Sequence, residues 1–139
     1  MATIEKFEDL PIWQEARLLC QYVYLLVSKP SFSKDFDLVR QINRSSGSAM
    51  DNIAEGFERR GSKEFSYFLS ITKGSLGEVR SQLYRAFDKG HISDIELSEG
   101  KSKCIALSKQ TSGFMNYLKK YSGTNQVKEP AAAYTNFKS

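Results

Sequence analysis

The chain has 139 residues, enough for one domain and too few for two. Hydrophobic residues make up 40% and charged residues 26%, which excludes a wholly disordered chain. The net charge of +4 is a mild excess that permits nucleic-acid binding without requiring it.

The stretch Met1–Asp9 is polar and carries acids, unlike a signal peptide. The longest apolar stretch, Tyr22–Val27, is too short to span a bilayer. A cytoplasmic protein without membrane contact is expected. Glycine and proline then divide the chain into four helical segments. The expected fold is all-α, an up-down antiparallel four-helix bundle over residues 1–121, followed by a flexible tail over 122–139.

The first helix is expected over Leu10–Ser28, with Asp9 as cap, Pro11 just inside it and Pro30 beyond its end. Its main stripe is Trp13, Ala16, Cys20, Val23 and Val27. Leu18, Tyr22 and Leu25 lie on a second face. A helix that is apolar on two faces is buried on more than one side. The second helix runs from Lys34 to Arg59 with Val39, Ile42, Ser46, Ala49, Met50, Ile53 and Phe57 inward. Its small run Ser45–Ala49 should admit a close neighbour, and close packing would offset the propensity cost of Gly47.

Gly61 breaks this helix from the third, which runs from Lys63 to Lys89 with Ser62 as cap. Phe65, Phe68, Leu69, Thr72, Leu76, Val79, Leu83, Ala86 and Phe87 form its core stripe. Tyr67, Ile71 and Gly74 make a second flank. Gly90 is placed to end the third helix. Ser93 and Glu96 read as a capping box for the fourth, over Asp94–Tyr121. There Leu97, Cys104, Thr111 and Leu118 repeat every seven residues, as bundle packing requires. Cys20 and Cys104 lack redox or zinc spacing and read as buried reduced thiols.

No catalytic residue, metal site or cofactor is expected. His91 is the one histidine, and it follows Gly90 without a paired cysteine or acid motif. No phosphate-cradling glycine loop is present, since Gly74 and Gly77 fall inside a helix. Asn52, Glu55, Arg59, Glu64 and Glu78 are expected to form a polar network between the second and third helices. Glu55 and Arg59 are four apart in the favourable order. The candidate nucleic-acid contacts are Arg40, Arg44, Arg59, Arg60, Lys63, Lys73, Arg80 and Arg85. Leu18, Tyr22, Leu25, Tyr67 and Ile71 are the candidate interface between copies.

The run Asn52-Ile53-Ala54-Glu55-Gly56, then Arg59, Ser62, Glu64-Phe65, Phe68-Leu69, Gly74-Ser75 and Glu78, forms a signature. Phe7, Leu10, Trp13 and Ala16 precede it at three-residue steps. Together they resemble the bacterial four-helix bundle family encoded by intervening sequences of 23S ribosomal RNA genes. That family includes the accessory variability determinant proteins of diversity-generating retroelements. The resemblance covers about residues 5–120. It implies an up-down bundle, a ring-like homopentamer and a basic surface suited to nucleic acid. The retroelement relatives also imply a reverse transcriptase as a partner. Two functions are therefore expected. The first is a non-enzymatic homo-oligomer that binds structured RNA or an RNA–DNA hybrid by its backbone. The second is a protein-interaction adaptor, such as an accessory subunit of a reverse transcriptase.

Overall fold

A computed structural model describes residues 3–121 and the backbone of residues 127–128. Four helices dominate it: α1 (Pro11–Val27), α2 (Phe36–Glu58), α3 (Ser62–Asp88) and α4 (Asp94–Lys120). α1 packs on α2 and α4, and α3 packs on the same two, so α1 and α3 stand at diagonal corners. Three contacts fix the up-down order. Lys29, just past α1, pairs with Glu96 at the start of α4. Lys89, just past α3, pairs with Asp35 before α2. Lys63 at the start of α3 shares a groove with Lys119 at the end of α4. The sole extended pairing among the described residues is antiparallel, β1 (Thr3–Ile4) on β2 (Val127–Lys128). Apart from residues 127–128, the expected tail lies outside the described residues.

The helix ends show how local chemistry sets the boundaries. Pro11 occupies the first position of α1, where its missing N–H costs nothing. The expected cap, Asp9, lies instead in a 3₁₀ turn, Phe7–Asp9, and Leu10 caps α1 without a side-chain bond. That turn closes on the backbone bond from Leu10 N–H to the Phe7 carbonyl. Asp35 caps α2 by accepting from the Leu38 N–H. Ser62 is likewise not a cap. Gly61 takes that position in an extended conformation, and Ser62 is the first helical residue. Gly90 ends α3 at φ 77°, a conformation that favours glycine. There His91 N–H bonds the Ala86 carbonyl and Gly90 N–H bonds that of Phe87, the paired closure of a Schellman motif. The Ser93–Glu96 capping box of α4 is present in both directions.

The core runs the length of the bundle. At one end Phe65 meets Phe57 edge-on and lies against Phe114. The inward stripe of α1 is Ile12, Ala16, Leu19, Val23 and Leu26, all buried. Trp13 and Cys20 sit one residue off that stripe and are half-buried, Trp13 edge-on to the Phe7 ring and Cys20 with its thiol donating to the Ser46 carbonyl of α2. Cys104 is fully buried, which pushes its thiol up to about 12.

The small run on α2 does bring α3 close. Thr72 Oγ1 donates to the Ala49 carbonyl at 3.0 Å, and Ser75 Oγ donates to Ser48 Oγ at 3.0 Å. Gly47 has no part in this, because a Cβ there would meet nothing within 4 Å. The close approach needs Gly56 instead. A Cβ on Gly56 would lie 2.8 Å from both Phe65 Cδ1 and Phe68 Cβ.

Candidate nucleic-acid interface

The eight nominated cations separate into three groups. Arg40, Arg44 and Arg85 lie toward the start of α2 and the end of α3. Arg40 is engaged by Asp37 on its own helix. Arg85 donates to Gln41 Oε1 at 2.8 Å and so bridges α3 to α2. Arg44 is exposed and has no partner.

The second group lies midway along the α3–α4 seam. Lys73 is withdrawn from the surface and bonds Ser112 Oγ and the Ser108 carbonyl. It ties the two helices together and is not a free phosphate ligand. Arg80 is exposed on the same side and is the one charge that lowers the Cys104 thiol.

The third group surrounds the α2–α3 turn. Arg59 pairs loosely with Glu55 at 3.5 Å and lies over the Phe68 ring at 5.1 Å. Arg60 holds φ 65°, unusual for a residue with a side chain, and its guanidinium covers the Phe57 ring. Lys63 is exposed and unpaired. Lys119 and Lys120 reach the same end of the bundle from the last turn of α4. Sequence reasoning did not place these two beside Lys63, because their proximity depends on the antiparallel packing of helices more than fifty residues apart.

The expected polar network forms only in part. Asn52 Nδ2 donates to the carbonyl and hydroxyl of Ser48, and Ser48 links across to Ser75. Arg59 reaches α3 through the Phe68 ring. Glu55 stays on its own helix. Glu64 and Glu78 are exposed and outside the network. The bonds that join α2 to α3 come from Thr72, Ser75 and Arg85 instead.

Of the candidate interface residues, Leu18 and Leu25 on α1 are 52% and 67% exposed, and Tyr67 on α3 is 62% exposed. Ile71 is half-buried beside Tyr67's helix flank. Tyr22 belongs inside the subunit. Its hydroxyl donates to the Glu96 carbonyl at 2.9 Å, and burial with the nearby Glu99 and Glu96 raises it to about 12. Sequence spacing placed it with Leu18 and Leu25 because four residues is one helical turn. The packing of α4 then turns that edge inward.

A side-chain cluster at the other end was not legible beforehand. His91 lies between Ser31 on Nδ1 and Asp35 on Nε2, the latter at 3.0 Å, with its ring stacked on Phe32. Asp35 also takes Lys89 Nζ at 2.9 Å. Lys89, then His91, holds the Asp35 carboxyl down at about 2. The cluster clasps the α1–α2 connection to the α3–α4 connection. Because Asp35 releases its proton more readily when folded, its stabilisation is complete above the ordinary value of 3.8. It is lost as pH falls from there toward 2. Asp35→Asn should therefore lower the melting temperature at neutral pH and flatten its fall across that acid window. An unchanged melting temperature would show that the clasp adds nothing.

Among the described residues, no group of three or more His, Cys, Asp or Glu is placed to hold a metal ion, and no helix is long and apolar enough to cross a membrane. The family model described as 23S rRNA-intervening sequence protein matches residues 8–113. No curated protein matches the chain.

Proposed function

Because the chain belongs to the 23S rRNA-intervening sequence protein family, we propose that it acts without catalysis as a homo-oligomeric nucleic-acid-binding scaffold. Its target is structured RNA or an RNA–DNA hybrid, held by the phosphate backbone. The observation that carries this reading is that three of the eight nominated cations, Arg44, Lys63 and Arg80, are exposed and held by no hydrogen bond, ion pair or ring contact. Arg40 and Arg59, by contrast, are each paired with an acid on their own helix. Three free charges bind phosphate weakly in one chain. Repetition around an assembly multiplies them.

The apolar faces support the assembly. Leu18 and Leu25 face outward from α1 and Tyr67 faces outward from α3. Those helices stand at diagonal corners, so the two faces look in opposite directions. Unlike patches on opposite sides pair head to tail, and such a contact closes into a ring when the rotation allows it. A cytoplasmic pentamer is the form proposed.

Salt tests the phosphate reading. If the assembly contacts six or more phosphates, affinity for structured RNA should fall roughly a thousandfold over a fourfold rise in salt. A nearly flat dependence in filter binding would remove the phosphate-backbone reading. A second reading is favoured by one observation. Tyr24 and Leu25 edge a groove of about 440 Å³ with Cys20 and Met50 between α1 and α2. Such a surface suits a protein partner, and a reverse transcriptase is the candidate. Stable capture of that enzyme by a protein that ignores RNA would establish the adaptor role.

A further inference from the structure

The basic end of the bundle carries a groove of about 380 Å³ between the first turn of α3 and the last turns of α4. Its floor is apolar, made by Met115 and Leu118. Asn116 and Ser66 supply an amide and a hydroxyl at its edge. Lys63 and Lys119 stand on opposite lips.

Neither lysine is ion-paired. This contrasts with Lys29, Lys89 and Arg40, each of which has an acid. Lys63 also occupies the first turn of α3, where the positive end of the helix dipole disfavours a cation. Two unmatched cations across one groove, one of them against the dipole, are relieved by an anion between them. A bare phosphate would satisfy the lysines but would leave the Met115–Leu118 floor uncovered.

We propose that this groove seats an unpaired nucleotide of a bound nucleic acid. Its phosphate lies between Lys63 and Lys119, and its base lies on the apolar floor with Asn116 at the base edge. A base offers a flat apolar face together with hydrogen-bonding edges, which is what the floor and rim ask for. A paired base cannot enter, since its faces are stacked and its edge is taken. The groove therefore favours single-stranded ends and bulges over continuous duplex, without preference among bases. This rests on the nucleic-acid reading above and adds to it where the strand must be open.

Two RNA hairpins with the same stem separate the two claims. One is blunt and the other ends in an overhang of about three nucleotides. The full-length protein should bind the overhang form about tenfold more tightly, the scale of one stacked base with its phosphate. The double variant Lys63→Gln, Lys119→Gln should erase that advantage, binding both hairpins equally and the blunt stem more weakly than the wild type does, because Lys63 also serves the backbone. Both lysines are exposed and unpaired, so the bundle should stay folded. Equal binding of the two hairpins by the wild type would overturn the groove assignment and leave the backbone reading standing. Persistence of the advantage in the double variant would also overturn it. Failure to bind either hairpin would remove both claims. Displacement of the overhang by an equal concentration of polyglutamate would assign the groove to acidic peptide instead.

Discussion

Replacing Leu18 and Leu25 together by glutamate should reduce the proposed assembly to single chains of 15.8 kDa while leaving the bundle folded. Both side chains are more than half exposed on the outer face of α1, so a carboxylate there meets water in the single chain. Surface changes of this kind usually cost within about half a kcal/mol of stability. In an interface the same carboxylates would be buried without a partner, at several kcal/mol each. Light scattering reads the mass, and far-UV circular dichroism reads the helix content. An unchanged mass would place the contact elsewhere. The control is Tyr22→Glu. That substitution removes the bond to the Glu96 carbonyl and sets a new carboxylate beside Glu96 and Glu99. It should unfold or loosen the subunit itself, and so lose helix signal as well as mass.

Two glycines on the same helix should respond to alanine with opposite signs. Gly56→Ala is expected to destabilise by about 1–3 kcal/mol, the usual cost of overpacking. The added methyl would lie 2.8 Å from Phe65 Cδ1 and from Phe68 Cβ. Phe65 is buried between Phe57 and Phe114 and cannot swing aside, and Phe68 Cβ is fixed by its backbone. Gly47→Ala should stabilise by about 0.5–1 kcal/mol, since alanine loses less entropy in a helix and meets nothing there. Urea unfolding of the two variants measures the difference. Equal effects would mean that α2 and α3 are not in the contact described.

The four helices were legible because their stripes are long and their ends carry strong chemistry. Gly90 and the Ser93–Glu96 box each define a boundary from neighbouring residues alone. The phase of α1 was less legible. Trp13 and Cys20 keep the same three- and four-residue spacing as Ile12 and Leu19, and only the partner helices decide between two such sets. The candidate site was legible as a list of cations and not as an arrangement. Lys73 and Arg85 looked like any other surface charge. Their commitment to Ser112 and to Gln41 spans 39 and 44 residues of chain. His91 was passed over for the same reason, because Ser31 and Asp35 lie 60 and 56 residues before it.

The clasp around His91 has a mechanical consequence. Both connections at that end are tied, by Lys29 to Glu96 and by Asp35 to Lys89 and His91. At the opposite end the ion pair near the α2–α3 turn is local, between Glu55 and Arg59 of the same helix. The tie at the His91 end joins two connections that lie 54 residues apart between Asp35 and Lys89, so the helices cannot part at that end until it breaks. Asp35→Asn should accordingly raise amide exchange in the first turn of α2 and the last turn of α3 more than elsewhere.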